Sequence, residues 1–290
     1  MNWSKDRGLQ GRMVLTGFLL FALYIVFIGF LVAFTNAGMI TVIIMMGAFS
    51  FVQYYFSDKM ALYSMGANVV DESEAPELHR TVERLSQQAD LPKPQIAIAD
   101  SQVPNAFATG RNQKNATVAV TSGLMRTLNQ QELEGVIAHE LAHIKNRDVM
   151  VMTIASFLST LAFIVVRWGW LFSGDGRNQA PVYVAILASL VVWVISFFLI
   201  RALSRYREYS ADRGAASITG NPAALASALM SISGRMDKVP KEDLRDQAEM
   251  NAFFIIPIRS GFIGKLASTH PSTEKRIEKL RELEREQAQS

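Results

Sequence analysis

Four long apolar stretches organise the chain. The first, "MVLTGFLLFALYIVFIGFLVAF" (13–34), carries no charge and as a helix would be about 33 Å long, enough to cross a bilayer. The second, "MITVIIMMGAFSFVQYYF" (39–56), follows after the uncharged link "TNAG". Two more, "VMVMTIASFLSTLAFIVV" (149–166) and "PVYVAILASLVVWVISFFLI" (181–200), lie further on. The pattern predicts two helical hairpins in a membrane. Core helices of a soluble fold would rarely reach this length four times in one chain. A cleavable signal peptide is a poor match for the first stretch, which is too long and has no small-residue cleavage site after it.

Between and after the hairpins the pattern changes to mixed polarity. "ESEAPELHRTVERLSQQADL" (72–91) predicts an amphipathic helix and "QIAIAD" (95–100) a short strand. "NAFATG" (105–110) reads as a turn-rich connection, and "ATVAVTSGLM" (116–125) alternates as a second strand. Asn129 and Glu132 have the spacing of a capping box that opens a helix. Asn221–Pro222 starts another helix, and "STEKRIEKLRELEREQ" (272–287) predicts a charged, exposed one.

Basic residues give the orientation. Lys5, Arg7, Arg12, Lys59, Lys145, Arg147, Arg201, Arg205 and Arg207 flank one set of span ends, against Arg167 and Arg177 at the other. That excess places both termini and the polar segments in the cytoplasm. Tyr54, Tyr55, Trp168 and Trp170 stand near span ends, where interfacial aromatics belong. Of 290 residues half are apolar, and the net charge of +3 implies no nucleic-acid-binding field. Cysteine is absent, so any metal must be held by histidine and carboxylate.

Only four histidines are present, and two of them fall in "GVIAHELAHIKNRD" (135–148). On a helix His139 and His143 project side by side, as two imidazoles on one Zn2+ require. Glu140, about 100° around the helix, can reach a water at the metal without being a ligand. Gly135, one turn before His139, would let another backbone approach closely. A catalytic zinc takes a third protein ligand and leaves one position open. Glu208, in "SRYREYSADRGAA" (204–216), is the strongest carboxylate, since the second hairpin returns to the same membrane face. The alternative is that Glu208 pairs with Arg205 or Arg207 on a solvated helix. Asp212, on the face of Glu208, could accept a hydrogen bond from a ligand histidine. His79 lies in a charged helix and reads as a surface residue.

"AHELAHIKNRD", "REYSAD", "NAFATG" and "THPSTEKRI", interleaved with two helical hairpins, resemble the HtpX family of membrane zinc endopeptidases, relatives of the CAAX prenyl protease. The resemblance spans essentially the whole chain. It implies one Zn2+ per chain on His139, His143 and Glu208, with Glu140 as general base and Asp212 orienting His139. It implies a bacterial inner-membrane enzyme of stress response and protein quality control that cuts misfolded membrane proteins on the cytoplasmic side. His270 and Arg276 become candidate oxyanion donors, their segment being placed near the cleft by the same resemblance. The expected fold is a mainly α membrane protein: four transmembrane helices in two hairpins with a cytoplasmic α+β zincin-like domain and a small sheet. Its parts would be a cytoplasmic N-terminus (1–12), hairpin 1 (13–56), the first catalytic part (57–148), hairpin 2 (149–200) and the second catalytic part (201–290).

Substrate would enter as an extended chain. The strand "ATVAV" (116–120) is expected to pair with it edge to edge, with Asn105 bonding the substrate backbone. Asp148 could orient the histidine helix or pair with Arg147, and "NAFFIIPI" (251–258) could line the cleft, graze the bilayer or pack in the core. The partners are unfolded membrane proteins and the lipid bilayer, with no nucleic acid and no nucleotide cofactor. Two rivals stand beside this reading. One is a narrow-specificity zinc protease of the prenyl-processing type. The other is a non-catalytic chaperone or scaffold with structural zinc, although such sites usually fill all four positions with Cys and His.

Overall fold

The computed structural model describes residues 6–34, 44, 47–48, 51–52, 54–168, 180–236, 255 and 270–289. In chain order the elements are α1 (Arg7–Phe34), α2 (Ser57–Ser64), β1 (Ala67–Val69), α3 (Pro76–Gln88), β2 (Gln95–Ala99), β3 (Ala106–Asn112) and β4 (Asn115–Thr121). They continue as α4 (Ser122–Thr127), α5 (Gln130–Lys145), α6 (Asp148–Trp168), α7 (Ala180–Thr219), α8 (Pro222–Met236) and α9 (Thr273–Ala288). The described residues fall into two compact units. One is drawn from Phe56–Val149 and Arg205–Ser290, the other from Asp6–Tyr55 and Met150–Ser204.

The second unit is built by apolar helices. Among the described residues, three helices are long and apolar enough to cross a membrane: Arg7–Phe30, Asp148–Arg167 and Tyr183–Thr219. Most of the second apolar stretch (39–56) lies outside the described residues, as do Trp170, Arg177 and all of 251–258 except Ile255. Leu20, Tyr24 and Phe27 of α1, spaced four and three apart, form a buried seam against Ala155, Leu161 and Ala162 of α6 and Val192 of α7. The Tyr24 hydroxyl donates to the Ala155 carbonyl at 2.6 Å, which satisfies a phenol that lipid could not. Large apolar side chains such as Phe18, Phe21, Val26 and Leu187 face outward. In water that surface would aggregate; in a bilayer it is solvated. The chain is a membrane protein.

The first unit places a four-stranded sheet under a layer of helices. Strand order is β1-β2-β4-β3, with β2–β4 parallel and the other pairs antiparallel. Two of the strands follow the sequence expectation, but "NAFATG" does not. It forms most of β3, with Phe107 opposite Ala119 and Thr109 opposite Thr117. Asn, Ala and Gly carry weak strand preference, and pairing with β4 overrides it. Gly110 (φ +132) shows why glycine is needed there, because a Cβ would lie 2.2 Å from the Asn115 carbonyl oxygen. The same topology corrects the substrate-edge expectation. β4 is hydrogen-bonded on both sides, so "ATVAV" offers no free edge; β1 and β3 are the edge strands among the described residues.

Alternation gives the sheet two buried faces. Ile96, Val118 and Val120 join the main core, while Ala97, Phe107 and Ala119 pack on Ala61 of α2. Helix α3 closes the main core with Leu78, Val82 and Leu85, three positions of one helical stripe. Helix α5 runs through its centre. Its first turn is closed by a capping box: Glu132 N donates to Asn129 Oδ1 and Asn129 N donates to Glu132 Oε2, both at 3.0 Å. The other carboxylate oxygen of Glu132 accepts from Ser227 at 2.6 Å and Ser231 at 3.0 Å, which pins the start of α5 to α8. One turn on, a Cβ at Gly135 would lie 2.9 Å from the Leu225 backbone nitrogen. Only glycine lets the two helices come so close.

Two helices exceed their sequence expectation. α7 runs on for 40 residues, well past the apolar stretch, and carries Glu208 and Asp212 on its polar end. α9 was expected to be exposed, yet it turns Arg276 and Leu280 into the interior.

Candidate metal centre

The histidine helix α5 is buried nearly all round, with Val136, Ile137, Ala138, Leu141 and Ala142 fully enclosed. Burial of its apolar positions fixes the rotation of the helix and so aims His139 and His143 to one side. Their rings meet edge to face at 4.6 Å between centroids, with the two Nε2 atoms 3.1 Å apart. Glu208 comes to the same point from α7. Its Oε1 is 3.6 Å from His143 Nε2 and its Oε2 is 3.7 Å from His139 Nε2. All three side chains offer ligand atoms within 4.8 Å of one another.

These separations fit one small cation. Ligands at 2.0–2.1 Å in a tetrahedron stand about 3.3–3.4 Å apart, and the observed gaps of 3.1, 3.6 and 3.7 Å bracket that value. Two imidazoles and a carboxylate are also a common donor set for catalytic zinc. His143 is the most exposed of the three, its side chain 18% accessible against 2% for His139 and 7% for Glu208. Solvent therefore reaches the cluster from the His143 side.

Both histidines turn their other nitrogen to a carboxylate. His139 Nδ1 faces Asp212 Oδ1 at 3.0 Å, and His143 Nδ1 faces Asp148 Oδ2 at 2.5 Å. The second contact was not singled out in the sequence. Asp148 stands five residues after His143, beyond the end of α5, where Arg147 adopts the left-handed φ of +55°. That turn carries the Asp148 carboxylate back to the ring it follows. Arg207 Nη2 meets the same Asp148 oxygen at 2.8 Å, so Arg207 pairs with Asp148 and leaves Glu208 to the histidines. No such pairing links Asp148 to Arg147.

Electrostatics follow from burial. Glu140 is buried, and its carboxylate accepts a hydrogen bond from the Ala108 backbone on edge strand β3; desolvation pushes its pKa up to about 7. Burial and the Arg276 charge act against a protonated His139, but hydrogen bonds to Asp212 and Glu208 prevail and raise its pKa to about 9. Burial and the neighbouring His139 push His143 the other way, well below the ordinary imidazole value.

The remaining candidates fall into different places. Arg276 is 2% exposed, and its guanidinium is committed. Nε and Nη2 donate to the two Asp212 oxygens at 2.9 and 2.7 Å, and Nη1 donates to the Ile255 carbonyl at 2.8 Å. Such a group is a strut, and it also stands at the cluster, with Nη2 3.3 Å from His139 Nε2 and Nη1 3.4 Å from Glu208 Oε2. His270 Nδ1 stands 3.1 Å from Glu208 Oε2, at the edge of the cluster. Asn105 is fully buried and its Oδ1 accepts from the Ile255 backbone nitrogen at 3.0 Å. That oxygen anchors the chain at Ile255. His79 lies apart, its Nε2 3.1 Å from the Val70 carbonyl.

Known proteins match this chain closely. Residues 72–284 match peptidase family M48. The chain is 58% identical to "Protease HtpX homolog 2" of Methanosarcina mazei over 98% of both chains. Identity is 54% with "Protease HtpX homolog" of Moorella thermoacetica, over 98% of this chain and 97% of the relative. Among solved structures the fold resembles Ste24p of S. mikatae, with a TM-score of 0.54 and 16% identity. That likeness covers 89% of this chain, which spans 62% of the Ste24p chain. With relatives matching over nearly its full length and a His-Glu-x-x-His helix at the heart of its buried polar cluster, the chain belongs to peptidase family M48, as a zinc metallopeptidase of the HtpX type.

Proposed function

We propose that this membrane metallopeptidase is an endopeptidase that hydrolyses peptide bonds of misfolded or damaged membrane proteins on the cytoplasmic side of a bacterial inner membrane. One observation carries the chemistry: His139 Nε2, His143 Nε2 and the Glu208 carboxylate converge at the spacing of ligands around one ion. In this reading they would hold a single Zn2+ per chain. Zinc bound there supplies Lewis acidity, which acidifies water and polarises a carbonyl.

The chain's own residues do the rest. Glu140, with a pKa near 7, is matched to neutral pH as general base. It takes a proton from the attacking water and returns it to the leaving amine. Its hydrogen bond to Ala108 fixes it against β3. β3 is also an edge strand of the sheet, and in this reading an extended substrate lies along it. Backbone pairing reads no particular side chains, which suits an enzyme acting on many unfolded sequences. Asp212 orients His139, and His270 at the rim donates to the developing oxyanion. Cytoplasmic orientation is supported by the basic residues at the span ends, including Arg12, Lys59 and Arg201.

The test is Glu140→Ala in detergent-purified protein. Zinc content should stay at the wild-type level while cleavage of an unfolded protein falls by about 10²–10⁴-fold or more. Wild-type cleavage by that variant, free of contaminating proteases, would reject the assignment.

A further inference from the structure

Each of the two candidate ligand histidines is backed by its own aspartate and its own arginine. One chain runs His139, Asp212, Arg276; the other runs His143, Asp148, Arg207. The members come from α5, α7, α9 and the first residue of α6, and the two aspartates and two arginines are all buried. A carboxylate on the far nitrogen of a ligand histidine sets its tautomer and ring orientation. A carboxylate held only by that histidine, however, could rotate about its own χ2. The arginines remove that freedom.

The two chains differ in how they do it. Arg276 grips Asp212 with a fork, Nε and Nη2 reaching separate oxygens at 2.9 and 2.7 Å, while Nη1 holds the Ile255 carbonyl at 2.8 Å. Arg207 meets Asp148 through Nη2 at 2.8 Å, and its buried Nε has no hydrogen-bond partner among the described residues. A fork needs the planar guanidinium, whereas a single contact needs only a positive charge at the right place.

We infer that Arg207 and Arg276 are positioning residues for the metal centre, acting through Asp148 and Asp212, and that the two positions differ in what they tolerate. Lysine substitutes for arginine at 207 and fails at 276. This rests on the reading of His139, His143 and Glu208 as zinc ligands. It adds that the geometry of the imidazoles is imposed by a point charge on one side and, on the other, by a planar clamp that also stands 3.3 Å from His139 Nε2 and 3.4 Å from Glu208 Oε2.

The experiment measures zinc dissociation constants by competition with a chromophoric chelator, on full-length detergent-purified protein of confirmed monodispersity. The visible spectrum of cobalt-substituted samples gives a second readout of ligand geometry. Arg207→Lys should stay within about threefold of wild type and keep its cobalt spectrum, while Arg207→Gln binds zinc about 10–100-fold more weakly. Arg276→Lys and Arg276→Gln should both weaken binding at least about tenfold and alter the spectrum. Wild-type affinity and spectrum in Arg207→Gln, or in Arg276→Lys, would overturn the inference. If the position-276 variants do not fold, the two variants at 207 decide alone. His139→Ala serves as the reference. If it loses zinc while the arginine variants do not, only this inference falls; if it binds zinc as wild type does, the ligand reading itself falls.

Discussion

The two units of this protein bury opposite things. Among the described residues of the membrane unit the enclosed polar groups are hydroxyls, those of Thr16, Tyr24, Ser189 and Ser196, while phenylalanines and valines lie on the outside. In the other unit the interior encloses His139, Glu140, Asp148, Arg207, Glu208, Asp212 and Arg276 in one cluster. Small hydroxylated residues let helices pack closely in a medium where apolar surface is already solvated. Charges can be buried in the second unit because each has a partner, and one partner is the cation the cluster is shaped to hold. The contrast teaches that "buried polar" means tight packing in one half of the chain and chemistry in the other.

Opposite substitutions should therefore do harm in the two halves. Asp212→Leu, which would fit a lipid-facing position, leaves the Arg276 fork and His139 Nδ1 unpaired in the interior. It is expected to destabilise the catalytic unit by about 3–5 kcal/mol, read as a loss of thermal stability in detergent. A change below about 1 kcal/mol would show that the network is not cooperative. Phe21→Lys, on the exposed face of α1, is expected to cost about 2.5–3.5 kcal/mol in membrane insertion while leaving zinc content untouched. Unimpaired insertion in a translocation assay would argue against α1 as a lipid-facing span.

A smaller effect sharpens the comparison by pH. His139 has a pKa raised to about 9. In the zinc-free protein its protonated form contributes stability that is full below the ordinary imidazole value and fades as pH rises through about 9. Zinc competes with that proton, so zinc affinity should climb with pH up to about 9, by about tenfold per unit. Affinity that levels off at pH 7 would mean that His139 is not the nitrogen being contested.

What the sequence revealed divides along the same line. Helix spans are a matter of length and apolarity, and 13–34, 149–166 and 181–200 each lie within a helix of the structure. Local chemistry was also legible: the Asn129–Glu132 capping box, the Asn221 cap and the close approach at Gly135 all depend on neighbours a few residues away. The expectation that Glu208 joins the histidines rested on a second hairpin returning to its starting face, and the structure brings the three side chains together. "NAFATG" was misread because its residues resemble a turn, and only pairing with β4 makes it a strand. β4 was taken for an edge because nothing local in it shows which strands lie on either side. The commitment of Arg276 and Asn105 to Ile255, and of Asp148 to Arg207, depends on which buried charges meet across the fold. A single strand of periodicity carries no trace of that.

Zinc content of the purified full-length protein, compared between wild type and Glu208→Ala, tests the centre most directly. Two helices supply the ligands, so the account predicts close to one zinc per wild-type chain and a large loss when the carboxylate from α7 is removed. An unchanged zinc content in folded Glu208→Ala protein would contradict it.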